Sequence, residues 1–293
     1  ACYLPPSYLS SQWAREQARK CNLPLVEVQH HHAHIASVMA EAIAAGQLTT
    51  DTRVLGIAFD GTGAGTDGTI WGGEFLVAGL GGFERAAHLR TGAASVRDAR
   101  RNAFALLSEL GLLEHPGAAG LLSTLDEQTR SITATMIERN INSPRTSSMG
   151  RLFDAAAAVL GICGQATYEG EPAIELEAAA WRALGGKTVR LDGNHAGVST
   201  SADDSPILDP QPLIEALLNG IEADAPADRL ALDFHVAIAC ASARIASEIC
   251  EREGLDTVAL SGGVFMNRLL LQLLTHKLKD AGLAVLVPHA VPV

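Results

Sequence analysis

Apolar and polar positions along the chain follow two different periods, which together indicate an α/β protein with mixed sheets. Short apolar runs bounded by glycine-rich turns predict strands, and longer segments with apolar residues every three or four positions predict helices. The polar residues 186–210 are expected to form an irregular surface excursion. The predicted strands are Leu25–Gln29, Arg53–Phe59, Thr69–Ala78, Thr257–Ser261 and Val285–Val287. The predicted helices are His32–Ala45, 95–113, 126–141, 151–162, 173–184, 211–222, 229–253 and a segment that follows Gly263 and runs to about Lys279.

Length and cysteine content narrow the class of protein. With 293 residues the chain can form one large domain or two lobes with sizeable cores. Its five cysteines are scattered without a CxxC pair, which favours a reducing compartment. No apolar stretch of about 18 residues lacks charge, and the N-terminus has no basic region followed by an apolar run. We therefore expect a cytoplasmic protein without a membrane span and, since the chain does not begin with Met, a fragment or a processed product.

The formal net charge of −11 bears on the partners of the protein. Proteins that bind nucleic acid usually present a basic face that neutralises several phosphates. An acidic balance leaves room for a local basic groove, but it disfavours tRNA and DNA as partners.

Four of the ten histidines lie within five positions, where a predicted strand meets a predicted helix. In the run QHHHAH (residues 29–34), His30 and His34 are four residues apart and face the same side of a helix. Imidazoles at that spacing can bind one divalent metal ion, and the lack of a HExxH glutamate excludes the zincin arrangement. The alternative is a solvated helix start whose histidines act as N-terminal caps.

The second candidate is the segment DGTGAGTDG, Asp60–Gly68. Its small residues allow a phosphate to approach the backbone, whose N–H groups can bind it. Asp60, at the end of a strand, could bind a metal directly or through water. The alternative is a plain hairpin turn. The segment is not a Walker A loop, because no GK[ST] follows.

Two further features complete the candidate chemistry. Gly262 and Gly263 separate a strand from a helix and could open the helix N-terminus towards an anion, with Asn267 offering its amide to a base or ribose. The alternative is a tight strand-to-helix connection. Asp154 lies in an apolar stretch and needs a partner, either a ribose hydroxyl or Arg151 in an ion pair. Together these features are typical of the split nucleotide site of two-lobed actin-like (ASKHA) folds.

Five ordered motifs give the sequence a resemblance to a known family. They are VQHHHAHIASVMAE, GIAFDGTGAGTDGTIWGGEF, SPRTSSMGRLFDA, YEGEPAIELE and VALSGGVFMN. In this order they resemble the C-terminal transferase domain of HypF-type carbamoyltransferases, over nearly the whole chain. The resemblance implies a two-lobed actin-like fold, with residues 1–50 in part of the first lobe and residues 51–293 in the second.

The resemblance also implies a reaction. A carbamoyl-adenylate, made from carbamoyl phosphate and ATP, would be held between the lobes. Its carbamoyl group would pass to the C-terminal cysteine thiol of a HypE-like partner protein, as a step towards the cyanide ligand of [NiFe]-hydrogenase. A bound metal would polarise the carbonyl, and AMP would be the leaving group.

Matching positions in the motifs assign roles to individual residues. The metal ligands would be His30, His34 and Asp60, and the ion either iron or zinc. His31 or His32 would orient a ligand or accept the thiol proton. The nucleotide, as ATP, AMP or carbamoyl-adenylate, would be lined by Gly61, Thr62, Asp154, Gly170, Gly262, Gly263 and Asn267.

The chain departs from the family pattern in three places. Residues 3–6 read Tyr-Leu-Pro-Pro where the family has Asp-Leu-His-Pro, and residues 88–101 are shorter and lack the family's tryptophan. The chain also ends before the family's Asp-Gly-Gly segment, whose Asp supplies another metal ligand. We therefore expect a C-terminally truncated fold and a metal site one ligand short. Because the family's upstream adenylate-forming domain is absent from this sequence, we also expect that this chain alone does not form the adenylate.

Three other functions remain open at this point. One is O-carbamoylation of a small-molecule hydroxyl, which the same fold supports. Another is tRNA threonylcarbamoyl transfer, which the net charge and the DGTG spelling disfavour. The third belongs to another class: a catalytically incomplete fragment that binds a nucleotide.

Overall fold

The computed structural model describes residues 2–3, 9–93, 98–139, 141, 143–186, 198–200 and 206–289. Within these residues most strands join one mixed sheet, while two short strands pair separately. The helices are α1 Leu9–Cys21, α2 His30–Ala44, α3 Ala99–Glu109, α4 Ala119–Ser123, α5 Glu127–Glu138, α6 Met149–Val159, α7 Glu171–Leu184, α8 Gln211–Glu222, α9 Ala227–Glu253 and α10 Arg268–Asp280. The strands are β1 Cys2–Tyr3, β2 Glu27–Val28, β3 Val54–Ala64, β4 Ile70–Gly79, β5 Gly82–Leu89, β6 Gly92–Ala93, β7 Arg145–Thr146, β8 Val198–Thr200, β9 Pro206–Leu208, β10 Thr257–Ser261 and β11 Ala284–Leu286.

The topology of the sheet brings distant segments to one edge. The strand order is β11-β10-β3-β4-β5-β9-β8, and β7 pairs with both β4 and β6. Strands β10 and β3 are parallel, with Ser261 opposite Ala58. Because parallel strands leave the sheet in the same direction, Gly262 after β10 lies beside Phe59 and Asp60 of β3. This edge is the usual place for a ligand site in an open α/β sheet.

Side chains of β3 alternate between two apolar cores, one on each face of the sheet. Leu55, Ile57 and Phe59 belong to the larger core, which α3 and α6 to α10 complete. Val54 and Ala58 face the other way and pack with apolar residues of α2. Burial on both faces explains why this strand is a nearly continuous apolar run.

A buried carboxylate ties the sheet to the segment before α6. Glu74 on β4 is fully buried. It accepts hydrogen bonds from the amides of Gly72 and Gly73, from Ser147 Oγ at 2.5 Å and from Arg85 Nε at 2.7 Å. An unpaired charge in that position would be strongly destabilising, and here each oxygen has partners. The ion pair therefore joins β4, β5 and the residues that lead into α6.

The predicted helices agree closely with the structure, but α1 and α4 were not predicted. Two strand predictions were wrong, and β5 was missed. The predicted helix at 211–222 coincides with α8, and the others agree within a few residues. The predicted buried strand Leu25–Gln29 is only the two-residue β2, which is largely exposed because it pairs outside the main sheet. Strand β3 does not end at Phe59 but runs on to Ala64 through a bulge before Gly63.

Some predictions fall partly or wholly on residues outside the described part of the chain. They concern the start of the helix at 95–113, most of the excursion at 186–210, and residues 4–6 of the N-terminal departure. Within the excursion, β9 is an ordered strand that pairs with β5. The α/β fold is confirmed, and the division at residues 50 and 51 stays a prediction.

Helix α9 is the one described helix that is long and apolar enough to cross a membrane. In that helix, 72% of the most apolar window is buried inside the fold. Burial of this extent is typical of a core helix, and the expectation of a cytoplasmic location stays a prediction.

Candidate functional site

Gln29 determines where the histidine-rich helix begins. It is the N-cap of α2, and its side-chain oxygen accepts a hydrogen bond from the amide of His32 at 2.8 Å. Its Nε2 donates to the carbonyl of Ala64 at 3.0 Å. Helix α2 therefore begins at His30, two residues earlier than predicted. The hydrogen bond from Gln29 to Ala64 holds the start of this helix against the C-terminal half of β3.

Three candidate metal ligands converge at the sheet edge. His30 Nε2 lies 3.1 Å from Asp60 Oδ2, and His34 Nε2 lies 3.3 Å from the same oxygen. The two imidazole nitrogens are 3.3 Å apart. All three side chains are only partly exposed. Because Gln29 caps the helix, the histidines are not its caps, and their geometry suits a divalent ion. The metal itself stays a prediction.

Asp60 is held in its ionised form. Its burial opposes ionisation, but hydrogen bonds from His30, His34 and the amide of Gly61 outweigh this effect and hold the pKa of Asp60 well below its usual range. The Gly61 amide donates to Asp60 Oδ1 at 2.7 Å, so this oxygen is occupied and Oδ2 faces the histidines. An ionised carboxylate oriented in this way can serve as a ligand at neutral pH.

His31 is placed to orient a neighbour rather than to accept a proton. It is fully buried, and burial, assisted by His30, lowers its pKa to about 3. Its Nδ1 lies 3.0 Å from Gln29 Nε2, and its Nε2 has no hydrogen-bond partner among the described residues. Its ring meets the edge of the His30 ring at 5.2 Å between centroids. Of the two roles predicted for His31, this geometry favours the orienting one.

His32 points away from the candidate ligands. Its Nε2 lies 2.8 Å from the carbonyl of Gly79, and its ring packs against Phe83. Neither contact lies among the residues that line the cavities described below. His32 therefore lies away from both cavities, and a role for it in accepting the thiol proton stays a prediction that this position does not favour.

Two adjoining cavities open beside the candidate ligands. The larger measures about 510 Å³ and the smaller about 290 Å³. Both volumes are of the order of small-molecule sites. Both cavities share a wall, and Asp60 lines the smaller one. The shared wall consists of Gly61, Arg151, Asp154, Glu169 and Gly170.

Most of the predicted nucleotide residues line these cavities. The exception is Gly262, which lines neither. It has a φ of 105°, and a Cβ there would overlap the carbonyl oxygen of Phe59, so this glycine is required by the backbone itself. The residues that do line the cavities are Gly61, Thr62, Asp154, Gly170, Gly263 and Asn267.

The amide of Asn267 is already committed within the protein. Its oxygen caps α10 by accepting a hydrogen bond from the amide of Leu270 at 2.9 Å. Its Nδ2 lies 2.8 Å from Nε2 of the buried His235. Asn267 therefore forms part of the cavity wall, but the predicted use of its amide for a base or ribose does not match this geometry.

Asp154 has the partner that one of the two sequence interpretations gave it. Its Oδ2 lies 3.0 Å from Arg151 Nη1. Burial raises its pKa, Arg151 opposes that rise, and Glu169 adds to it. The ion pair and a ribose contact are compatible, because both side chains line both cavities.

Ser148 is a residue of the site that the sequence analysis did not single out. It is the N-cap of α6, and its Oγ accepts a hydrogen bond from the amide of Arg151 at 3.1 Å. The same hydroxyl donates to the carbonyl of Gly61 at 2.6 Å. It therefore joins the glycine-rich strand to the helix that carries Asp154. Serine before an apolar helical run is the capping signal that could have identified it.

We expect stability to fall between pH 6.5 and pH 4 because of His235. Burial lowers the pKa of His235 to about 4, although its hydrogen bond to the Ala231 carbonyl has the opposite, smaller effect. The unfolded state, in which the histidine has a pKa of ~6.5, binds the proton first as pH falls, so the free energy of unfolding decreases by about 3 kcal/mol across this window. Urea unfolding at pH 7 and pH 4.5 measures the loss. His235→Gln should reduce the difference by about 2 kcal/mol, and the exposed His276→Gln should not.

The pH effect has a structural cause that the same experiment tests. Nδ1 of His235 donates to Ala231 at 2.7 Å, so Nε2 is the acceptor for Asn267 only in the neutral ring. Protonation would place an N–H on His235 Nε2 that faces the N–H of Asn267 Nδ2, so two buried donors would meet without an acceptor. An identical pH dependence in wild type and His235→Gln would show that this ring is not the group involved.

Sequence models of known families match nearly the whole chain. The one described as "Carbamoyltransferase, Kae1-like Domain, second subdomain" matches residues 56–293, and the one described as "HypF Kae1-like domain" matches residues 1–41. The fold and the site thus define a transferase domain of the Kae1-like class. More particularly, the chain belongs to the family of HypF carbamoyltransferases.

Individual relatives agree with this assignment. The carbamoyltransferase HypF homolog of Cupriavidus necator is 39% identical, with 98% of this chain matched to 72% of that protein. Carbamoyltransferase HypF of Synechocystis is 35% identical, with 99% of this chain matched to 37% of the relative. This chain therefore spans most of the first relative but little more than a third of the second.

Solved structures share the fold. Full-length HypF in its phosphate- and nucleotide-bound form superposes with a TM-score of 0.85 at 33% identity, over 99% of this chain and 43% of that one. HypF of T. kodakarensis gives a TM-score of 0.80 at 32% identity, over 99% of this chain and 37% of that one.

Proposed function

We propose that this chain carries out the transfer step of a HypF-type reaction. The carbamoyl group of a carbamoyl-adenylate passes to the C-terminal cysteine thiol of a HypE-like partner, in the maturation of [NiFe]-hydrogenase. The observation that carries the proposal is the meeting of two features at Asp60 and Gly61. Asp60 is a candidate metal ligand and also lines the smaller cavity, and Gly61 lines both cavities.

The residues present fit a divalent metal ion. His30, His34 and Asp60 supply two imidazole nitrogens and an ionised carboxylate oxygen, a set that suits iron or zinc. Such an ion, when bound, would act as a Lewis acid on the carbamoyl carbonyl. The buried ring of His31 would keep His30 in orientation, since its edge-on contact leaves the His30 ring little freedom to turn.

The nucleotide would occupy the two cavities. Their shared wall contains Gly61 and Gly170, where the absence of side chains permits close approach of a ligand. Asp154, in the same wall, would accept a hydrogen bond from a ribose hydroxyl. The comparison that supports this part is the nucleotide-bound state named for a HypF structure of the same fold.

In the proposed step the thiol sulfur attacks the carbamoyl carbon. A carbon–sulfur bond forms, and the bond from that carbon to the phosphate oxygen breaks. AMP leaves with the electron pair, and the thiol proton passes to solvent. Residues of this chain would hold the adenylate so that its carbonyl carbon is presented to the thiol.

The proposed reaction is tested with a preformed donor and two matched acceptors. The chain is mixed with carbamoyl-adenylate and a peptide of the HypE C-terminus, and products are followed by mass spectrometry. We expect a thiocarbamate on the cysteine peptide and none on a peptide in which serine replaces that cysteine, because the thiol is the more reactive nucleophile.

Other outcomes of this assay separate the alternatives. Carbamoylation of the serine peptide, or of a small hydroxyl compound, in preference to the thiol would favour the O-carbamoyltransferase. Binding of AMP without transfer to any acceptor would favour a nucleotide-binding fragment. Either result would overturn the proposed acceptor.

A further inference from the structure

The two cavities are strongly acidic, which is a problem for a phosphate-bearing ligand. AMP carries about −1.5 to −2 charges at pH 7 on its phosphate. Carboxylates close to it would repel it in a site of low dielectric constant. The acidic side chains that line the cavities are Asp60, Asp98, Asp154, Glu169 and Glu177.

Arg151 is the one basic side chain among the described residues that line the two cavities. It lies in the first turn of α6, which Ser148 caps, and its side chain is 23% exposed. One of its terminal nitrogens, Nη2, lies 3.7 Å from the point where a Cβ on Gly61 would stand. The guanidinium therefore lies close to Gly61, the residue that follows Asp60.

An arginine that is paired with a carboxylate can also bind a second anion. The ion pair with Asp154 joins Nη1 of Arg151 to Oδ2 of Asp154 at 3.0 Å. A guanidinium has five N–H donors in a rigid fork, and this fork matches the oxygens of a phosphate. One arginine can thus bridge a carboxylate on one side and a phosphate on the other.

From this placement we infer that Arg151 is a phosphate-binding residue of the nucleotide site, with its guanidinium shared between Asp154 and the adenylate phosphate. The inference rests on the proposed nucleotide function and extends it. Asp154 would then serve the ribose while it orients Arg151 towards the phosphate. The consequence is selectivity, because a nucleoside without phosphate would gain nothing from Arg151.

The test compares AMP with adenosine. Calorimetry is performed with EDTA present, so that Arg151 and not a metal ion supplies the positive charge. A charge-assisted hydrogen bond contributes about 1.5–3 kcal/mol, so Arg151→Gln should weaken AMP binding by about 10- to 100-fold. Adenosine should bind the variant within about 3-fold of wild type, because it has no phosphate for Arg151 to bind.

Two further variants make the result specific. Arg151→Lys keeps a charge beside Asp154 but not the fork, and it should weaken AMP binding to an intermediate extent. It also remains informative if the glutamine variant does not fold. Arg145→Gln makes the same change of net charge at an exposed ion pair with Glu109, outside both cavities, and should bind AMP as wild type does.

Each remaining outcome has a definite meaning. Equal loss of AMP and adenosine in Arg151→Gln would show that Arg151 only supports the wall, and unchanged AMP binding would show that it does not meet the phosphate; both overturn the inference. If wild type binds AMP, the nucleotide site itself stands in either case. If wild type binds neither compound, the proposed nucleotide function fails and this inference fails with it.

Discussion

Replacing His30 and His34 together by alanine should remove close to one equivalent of divalent metal from the purified chain. It should also lower carbamoyl transfer by at least about 100-fold. The reason is that both imidazole nitrogens lie within 3.3 Å of the same oxygen of Asp60. A Lewis-acidic ion contributes several kcal/mol to stabilising the transition state, and about 2.7 kcal/mol already corresponds to 100-fold in rate.

The measurement is elemental analysis of wild type and variant, together with the transfer assay. His276→Ala is the matched control, because this histidine is exposed on α10 and lies far along the chain from the candidate ligands. Metal content that is the same in wild type and in the double variant would reject the assignment of His30 and His34. The same analysis would identify the ion, which two imidazoles and a carboxylate do not determine.

Local spacing was enough to predict the two histidines, but not the arrangement around them. A separation of four residues places two side chains on one face of a helix wherever that helix lies. The role of Gln29 depends on its contact with Ala64, 35 residues away in the chain, and no local pattern encodes such a contact. A local capping signal marks Ser148 at the start of α6, but its hydrogen bond to the carbonyl of Gly61 is not encoded locally.

Strands were predicted less well than helices for a related reason. A helix such as α8 shows its buried face in a period that short-range sequence reveals. Strand β5 has the sequence GFERAAHL, whose polar residues resemble a loop. One of them, Arg85, forms an ion pair with the fully buried Glu74 of the neighbouring strand, and the sequence pattern does not reveal this pairing.

The glycine-rich segment Asp60–Gly68 was predicted to be the turn of a hairpin, and only its second half is. Strand β3 continues to Ala64 and pairs Gly63 with Trp71 after the bulge, so the turn to β4 begins at Gly65. The chemical role of the segment stays a prediction. The bulge turns Asp60 out of the regular register, beside the first turn of α2. Sequence alone does not distinguish this bulged strand from a turn, because glycine and aspartate are typical of both.

Substitution of the neighbouring glycines should have different effects: at Gly262 it should lower the stability of the fold, and at Gly263 it should weaken nucleotide binding. A Cβ at Gly262 would overlap the carbonyl oxygen of Phe59, and its φ of 105° is strained for any other residue. Gly262→Ala should therefore destabilise the fold by about 2–4 kcal/mol. A Cβ at Gly263 would lie 3.2 Å from Asp60 Oδ1, at the wall of the smaller cavity, and the backbone there needs no positive φ.

Gly263→Val should consequently fold but lose nucleotide binding by more than about 100-fold. The valine side chain would overlap the bound ligand, and such an overlap costs a few kcal/mol of binding free energy. Thermal unfolding and calorimetry with AMP separate the two effects. Gly262→Ala should show a lower Tm, whereas Gly263→Val should keep a Tm close to that of wild type and give no heat with AMP. Gly263→Ala provides a graded control, since one methyl group fills less of the cavity than three carbon atoms do. Unchanged AMP affinity in Gly263→Val would mean that the phosphate does not pass Gly263, and the nucleotide would then have to be confined to the larger cavity, which Gly263 does not line.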